Sequence, residues 1–144
     1  MIVSQILKSK AETGIISITP EAQVAEAVKI MSDKRIGTVI VSSDGASLNG
    51  ILSERDIIRE MGKRGTACLD EAVSGMMTAK LVTCAPSDTA DGVLEKMTVG
   101  RFRHMPVVDD GTLIGLISIG DVVKARLSEL SMEKDALEGM IMGH

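Results

Sequence analysis

The sequence predicts an α+β fold: two copies of one β-α-β-β-α unit, related by a pseudo-twofold axis and packed through their sheets with the helices outside. Three observations carry this. Gly50-Ile51-Leu52-Ser53-Glu54-Arg55-Asp56 returns 65 positions later as Gly115-Leu116-Ile117-Ser118-Ile119-Gly120-Asp121. Pro20 and Gly45 return as Pro86 and Gly111 at an offset of 66. Val3-Ser4-Gln5-Ile6-Leu7-Lys8 is echoed by Val73-Ser74-Gly75-Met76-Met77-Thr78 at an offset of 70. Self-similarity at one period, with small steps where turns fall, marks a duplicated structural unit.

Each copy opens on a short helical turn and continues into an extended stretch, Ile15-Ile16-Ser17-Ile18 or Leu81-Val82-Thr83-Cys84. Pro20 and Pro86 stop these strands. An amphipathic helix follows, with Val24, Ala27, Val28 and Met31, or Ala90, Val93, Leu94 and Met97, at helical spacing, and Thr89 is an N-cap. The β-rich runs Thr38-Val39-Ile40-Val41 and Met105-Pro106-Val107-Val108 are closed by Asp44-Gly45 and Asp110-Gly111, a hairpin signal. The returning strand is the repeated motif, and Ser53 and Ser118 cap a last helix, ending near Met61 in the first copy. Lys63-Arg64-Gly65-Thr66 is a polar connection, and Asp70-Glu71-Ala72-Val73 starts the next helical turn. The boundaries are residues 1–66 for the first repeat and 67–144 for the second with its tail, together one module. In the tail, from Leu127 to His144, Leu130, Leu137, Met140 and Ile141 form an apolar stripe interrupted by Gly139. Such a stripe packs on its own domain or forms a dimer seam.

Composition excludes several function classes. With Phe102 as the only aromatic residue and a net charge of −4, the chain lacks stacking platforms and a basic surface for nucleic acid. No apolar run approaches the ~18–20 residues of a membrane span, and the first residues lack a signal-peptide pattern, so a cytoplasmic, membrane-free protein is expected. Cys68 and Cys84 are too few for a disulfide framework and read as reduced thiols; with His104 and His144 they make no metal cluster. There is no nucleophile–base pair, phosphate-binding Gly-rich loop or carboxylate dyad, so neither an enzyme nor a catalytic cofactor is expected.

The motif itself has two readings. A serine at a helix N-terminus with an aspartate three residues on can hold an anion and a sugar hydroxyl, or can close a capping box with no ligand. Arg55 can likewise meet a phosphate or pair with Glu54 or Asp56. With Val73-Ser74-x-Met76-Met77-Thr78, Arg103-His104-Met105-Pro106-Val107-Val108-Asp109 and both Gly-x-x-Ser-x-x-Asp segments in this order, the chain resembles the cystathionine-β-synthase (CBS) domain as a tandem pair, a Bateman module. The resemblance implies a disc-like regulatory module whose clefts hold AMP, ATP, NAD or S-adenosylmethionine. It implies a first cleft of Ser53, Arg55, Asp56, Val82, Thr83, Arg103, His104, Met105 and Pro106. A second would join Ser118 and Asp121 to Ser17, Gly37, Thr38 and Val39. Arg55, Arg103 and His104 favour phosphate in the first, where Met105 and Ile51 wall the adenine and Asp56 reads ribose. Gly37-Thr38 replaces Arg103-His104 in the second, so binding is expected to be weaker there unless Lys34 or Arg35 reaches in. The expected function is an energy sensor for AMP, or for ATP or NAD(H), acting on a protein partner as a homodimer. The alternative is a ligand-free dimeric adaptor.

Overall fold

Two pairs of hydrogen bonds decide how the chain is partitioned in the computed structural model, which describes residues 1–10 and 14–142. Val3 N donates to Asp88 O at 2.8 Å and Ser4 N to Pro86 O at 3.0 Å; one repeat later, Val73 N donates to Ala22 O at 2.7 Å and Ser74 N to Pro20 O at 2.9 Å. Each opening segment therefore binds the proline turn of the other repeat. The chain forms two compact units accordingly, Met1–Thr13 with Thr83–Val108 and Gly115–His144, and Gly14–Val82 with Asp109–Ile114. The packing units are therefore interleaved along the chain.

The unit holding Gly14–Val82 contains β1 (Ser17–Ile18), α2 (Val24–Lys34), β2 (Thr38–Val41), β3 (Gly50–Ser53) and α3 (Glu54–Arg64), α1 lying in the other unit. β1 runs parallel to β2, and β2 antiparallel to β3, with Thr38 opposite Ser53. Val39, Val41 and Leu52 meet Val24, Ala27 and Ile57 in one aliphatic core. Two 3-10 turns, Thr66–Asp70 and Val73–Gly75, follow α3 and bring Thr78 onto the sheet, where it exchanges backbone bonds of 3.0 and 2.8 Å with Ile51. Gly50 is small because it must be: a Cβ there would lie 2.7 Å from Met77 Sδ and 2.8 Å from Thr78 O.

The other unit contains α1 (Val3–Ser9), α4 (Ala90–Gly100), most of β4 (His104–Asp109) and β5 (Thr112–Ser118), and α5 (Ile119–Ile141). Its core joins Val3 and Ile6 of α1 to Val93, Met97, Val107 and Ile117. Thr89 caps α4 by accepting from Gly92 N, as its position predicts. A Cβ on Gly115 would lie 2.8 Å from Leu7 Cδ2, the counterpart of Met77 on Gly50.

Three details depart from the expected elements. The strand expected over Leu81-Val82-Thr83-Cys84 is reduced to one parallel bridge between Cys84 and Val107. In the first repeat Ile40 N donates to Ile16 O at 3.3 Å and Ser42 N to Ile18 O at 2.9 Å; in the second, Val108 N donates to Cys84 O at 2.9 Å, but Pro106 stands at the position of Ile40 and has no N–H to give. Asp110-Gly111 forms a two-residue turn with φ of 49° and 79°, the pattern of a type I′ hairpin. Asp44-Gly45 instead sits in a longer connection, residues 42–49, where Asp44 Oδ1 accepts from Ser47 N at 2.7 Å and Ala46 N at 2.9 Å. Those donors, Ser47 N foremost, hold the Asp44 carboxyl down to about 2. The tail is helical to Ile141, and its stripe does not pack on its own unit: Leu130, Leu137, Met140 and Ile141 are exposed. His144 lies outside the described residues.

Candidate functional site

Both motifs build the same corner, one in each unit. Ser53 has extended backbone and its Oγ accepts from Asp56 N at 3.2 Å, while Asp56 Oδ2 accepts from Ser53 N and Ser53 Oγ at 3.0 Å each. Ser118 repeats this, with Oγ accepting from Asp121 N at 3.1 Å and Asp121 Oδ2 accepting from Ser118 N at 2.9 Å. The capping box is therefore formed twice. Beside each box lies the entry to the preceding strand: Glu54 N donates to Gly37 O, and Ile119 N to Arg103 O, both at 2.8 Å. Just upstream, Arg35 and Arg101 end α2 and α4 in the left-handed region with φ of 56° each. The duplication thus extends to a backbone conformation that L-residues seldom adopt.

The two corners differ in charge. In the Gly14–Val82 unit, Gly37 faces the Glu54 side chain, 3.1 Å from where a Cβ would stand. Asp56, 8% exposed, is also bound by Arg59 Nη2 at 2.9 Å. Three of the roughly four lone-pair positions of the Asp56 carboxylate are thereby engaged. Arg55 sits exposed in the first turn of α3, with no ion pair among the described residues. Ser17 lies opposite Ile40, and Thr38 and Val39 are buried in β2. Val82 is exposed.

In the other unit, Arg103 is exposed and His104 half-buried at the start of β4. Met105, without exposed surface, belongs to the core, and Pro106 is buried. Thr83 is half-buried one residue before the Cys84 bridge. Asp121 has acquired a partner that sequence reading missed: Lys10 Nζ lies 3.0 Å from Asp121 Oδ2 and donates to Leu116 O at 2.8 Å. Burial opposes ionisation of Asp121, but the Ser118 amide and Lys10 outweigh it and hold its carboxyl below the ordinary range. A pocket of about 490 Å³ opens beside the pair, lined among others by Ser9, Lys124 and Ser128. One signal for Lys10 was present: Lys80 stands 70 positions on, in step with the Val3–Val73 echo.

The structure therefore brings Ser53, Arg55 and Asp56 together with Gly37 and Thr38, and Ser118 and Asp121 together with Arg103 and His104. Among the described residues no group of three or more His, Cys, Asp or Glu is placed to hold a metal, and no helix is long and apolar enough to cross a membrane. Cys68 and Cys84 are free and buried, and burial pushes the Cys84 thiol up to about 11.

Comparison with known proteins agrees with this doubled construction. The chain is 34% identical over 148 residues to the CBS domain-containing protein CBSX3, mitochondrial, of Arabidopsis thaliana, covering 98% of this chain and 72% of that protein. Among solved structures, the CBS-domain containing protein ATU1752 from Agrobacterium tumefaciens superposes with a TM-score of 0.81 at 40% identity, covering 87% of this chain and 92% of that one. CBSX2 in complex with AMP superposes with a TM-score of 0.72 at 25% identity, over 88% of this chain and 96% of that one. The CBS domain model matches twice, over residues 3–63 and 73–128, and the chain belongs to the CBS-domain family as a tandem pair.

Proposed function

We propose that the chain is a non-catalytic regulatory module that binds an adenosine nucleotide through both repeats and relays occupancy to a protein partner. AMP is the first candidate, ahead of ATP and NAD(H), and the module works as a cytoplasmic homodimer. Arg55 carries the reading. A cation in the first turn of a helix opposes the helix dipole, and Arg55 has no acidic partner among the described residues to offset that. A phosphate would supply the missing charge. Arg103, also exposed and without an ion pair among the described residues, gives a second guanidinium on the other repeat.

In this proposal Arg55, Arg103 and His104 hold phosphate through charge-assisted bonds. Ser53 and the N–H groups of α3 add neutral donors, and Asp56 accepts from ribose. Val82, Thr83, Met105 and Pro106 form the apolar bed for adenine, Met105 by anchoring its strand in the core. Binding both ribose hydroxyls displaces Arg59 from Asp56, at small cost because the Arg59 side chain is 57% exposed. The second set, Ser17, Gly37, Thr38, Val39, Ser118 and Asp121, binds more weakly. There Glu54 presents a like charge at Gly37, and a ligand hydroxyl must compete with Lys10 for Asp121. That CBSX2 has been solved with AMP supports an adenosine ligand for a protein of this kind.

A second reading has its own support: both Asp56 and Asp121 are satisfied inside their units, as a ligand-free adaptor requires. Thermal unfolding separates the two. At ~100 times its Kd, AMP should add ~2.7 kcal/mol, a rise of about 5–10 °C at ~2–4 °C per kcal/mol for a chain of this size. No rise with AMP, ATP or NAD would favour the adaptor.

A further inference from the structure

The second half of α5 has helix-forming sequence and almost nothing to pack against. Its buried residues, Val122 and Ala125, lie in the first two turns, whereas the residues from Leu130 to Met142, Gly139 apart, are all exposed. Twelve to fifteen residues of helix are marginal without tertiary support. The exposed apolar positions are regular. Val123, Leu127, Leu130, Leu137 and Ile141 are 40%, 63%, 49%, 59% and 83% exposed. They fall at alternating steps of four and three, and the one interruption in the series is Lys134. This is a heptad seam, with Leu127, Lys134 and Ile141 at one core position and Val123, Leu130 and Leu137 at the other.

We infer that this face is covered by α5 of a second copy, running antiparallel. The flanking charges select the direction. In a parallel pair Glu133 would face Glu138 of the second copy on both sides of the seam, offset only by the exposed Lys134–Glu138 contact of 3.8 Å within each helix. In an antiparallel pair Leu127 meets Leu137, Val123 meets Ile141, and Lys124 is brought to Glu138 of the second copy twice by symmetry, which outweighs the single approach of Glu133 to its own copy across the twofold axis. Lys134 then lies beside Leu130, its stem over the apolar layer and its ammonium at the exposed edge, 3.8 Å from Glu138 of its own helix; a lone lysine in a core position fixes register. The inference deepens the homodimer proposed above and is independent of the nucleotide.

Cysteine cross-linking on the full chain reads the direction, since Cys68 and Cys84 are buried. Mixed Leu127→Cys and Leu137→Cys proteins should give a disulfide-linked dimer under mild oxidation, while neither variant links to itself. Self-linking of Leu127→Cys would mean a parallel seam, and absence of any link would mean no seam; either overturns the inference. In light scattering, Leu127→Glu should fall from about twice 15.2 kDa to the single-chain mass, and a dimer that survives this charge counts against it. The AMP-induced melting shift of the same Leu127→Glu protein reports the nucleotide reading separately, so failure of one does not imply failure of the other.

Discussion

Asp56 holds three hydrogen bonds inside its own unit, so removing it acts on stability and on binding at once, and the two must be read apart. Asp56→Ala should lower the melting temperature of the free protein through loss of the cap, about 1 kcal/mol by analogy with other caps. The AMP-induced rise should nearly vanish on top of that loss, because in the proposed mode Asp56 is the group that accepts from ribose; an undiminished rise would remove Asp56 from the site. Arg103→Ala should weaken AMP more than adenosine, and equal losses would mean that the guanidinium does not meet phosphate. At Asp121 the pH dependence has a fixed sign. Its carboxyl is depressed in the folded state, so its contribution is complete above the ordinary carboxylate range and is lost as the pH falls through the lowered value. Lys10→Met should flatten the acid side of a urea-midpoint profile, and an unchanged slope would show that Lys10 does not hold Asp121. Ser53, Ser118 and Thr89 were legible as caps because capping is decided within four residues. Lys10 was not, because its partner is far along the chain.

The elements followed the sequence where one strand's own pattern decides them and departed where the pairing partner does. The continuous apolar runs of β2 and β3 gave buried strands. Leu81-Val82-Thr83-Cys84 has strand-like composition, but its neighbour carries Pro106 where the first repeat has Ile40, and the ladder stops at Cys84. The motif glycines give a test at this scale. Gly50→Ala meets the backbone oxygen of Thr78, which cannot step aside, whereas Gly115→Ala meets the mobile end of Leu7. The first should cost about 1–3 kcal/mol, as overpacking does, and the second clearly less. Equal melting temperatures for the two variants would contradict the close approach at Gly50. The corners themselves were half legible: the Ser–Asp boxes were visible in the motif, but their contact with Gly37 and Arg103 depends on a register that only the folded hairpins supply.

At the scale of the molecule, the duplication read from the offsets is present, yet its opening segments are exchanged. Val3 and Ile6 complete the core around Val93 and Ile117, and Val73 and Met76 complete the core around Val39 and Leu52. Sequence order could not reveal this, because equivalent segments present equivalent apolar faces to either repeat. Deleting residues 1–10 should therefore speed hydrogen exchange at Met97, Val107 and Ile117 before Val39 and Leu52. Faster exchange first around Val39 would restore a division in chain order. The exchange also ties each repeat to the other's opening segment.

The claim on which the account turns is that this pair holds an adenosine nucleotide through Arg55 and Asp56. Isothermal titration of AMP into the wild-type protein, Arg55→Ala and Asp56→Ala tests it most directly. The account predicts saturable binding to the wild type, weakened at least tenfold, about 1.4 kcal/mol, in each variant. Absence of binding by the wild type to AMP, ATP and NAD, or undiminished affinity in both variants, would contradict it.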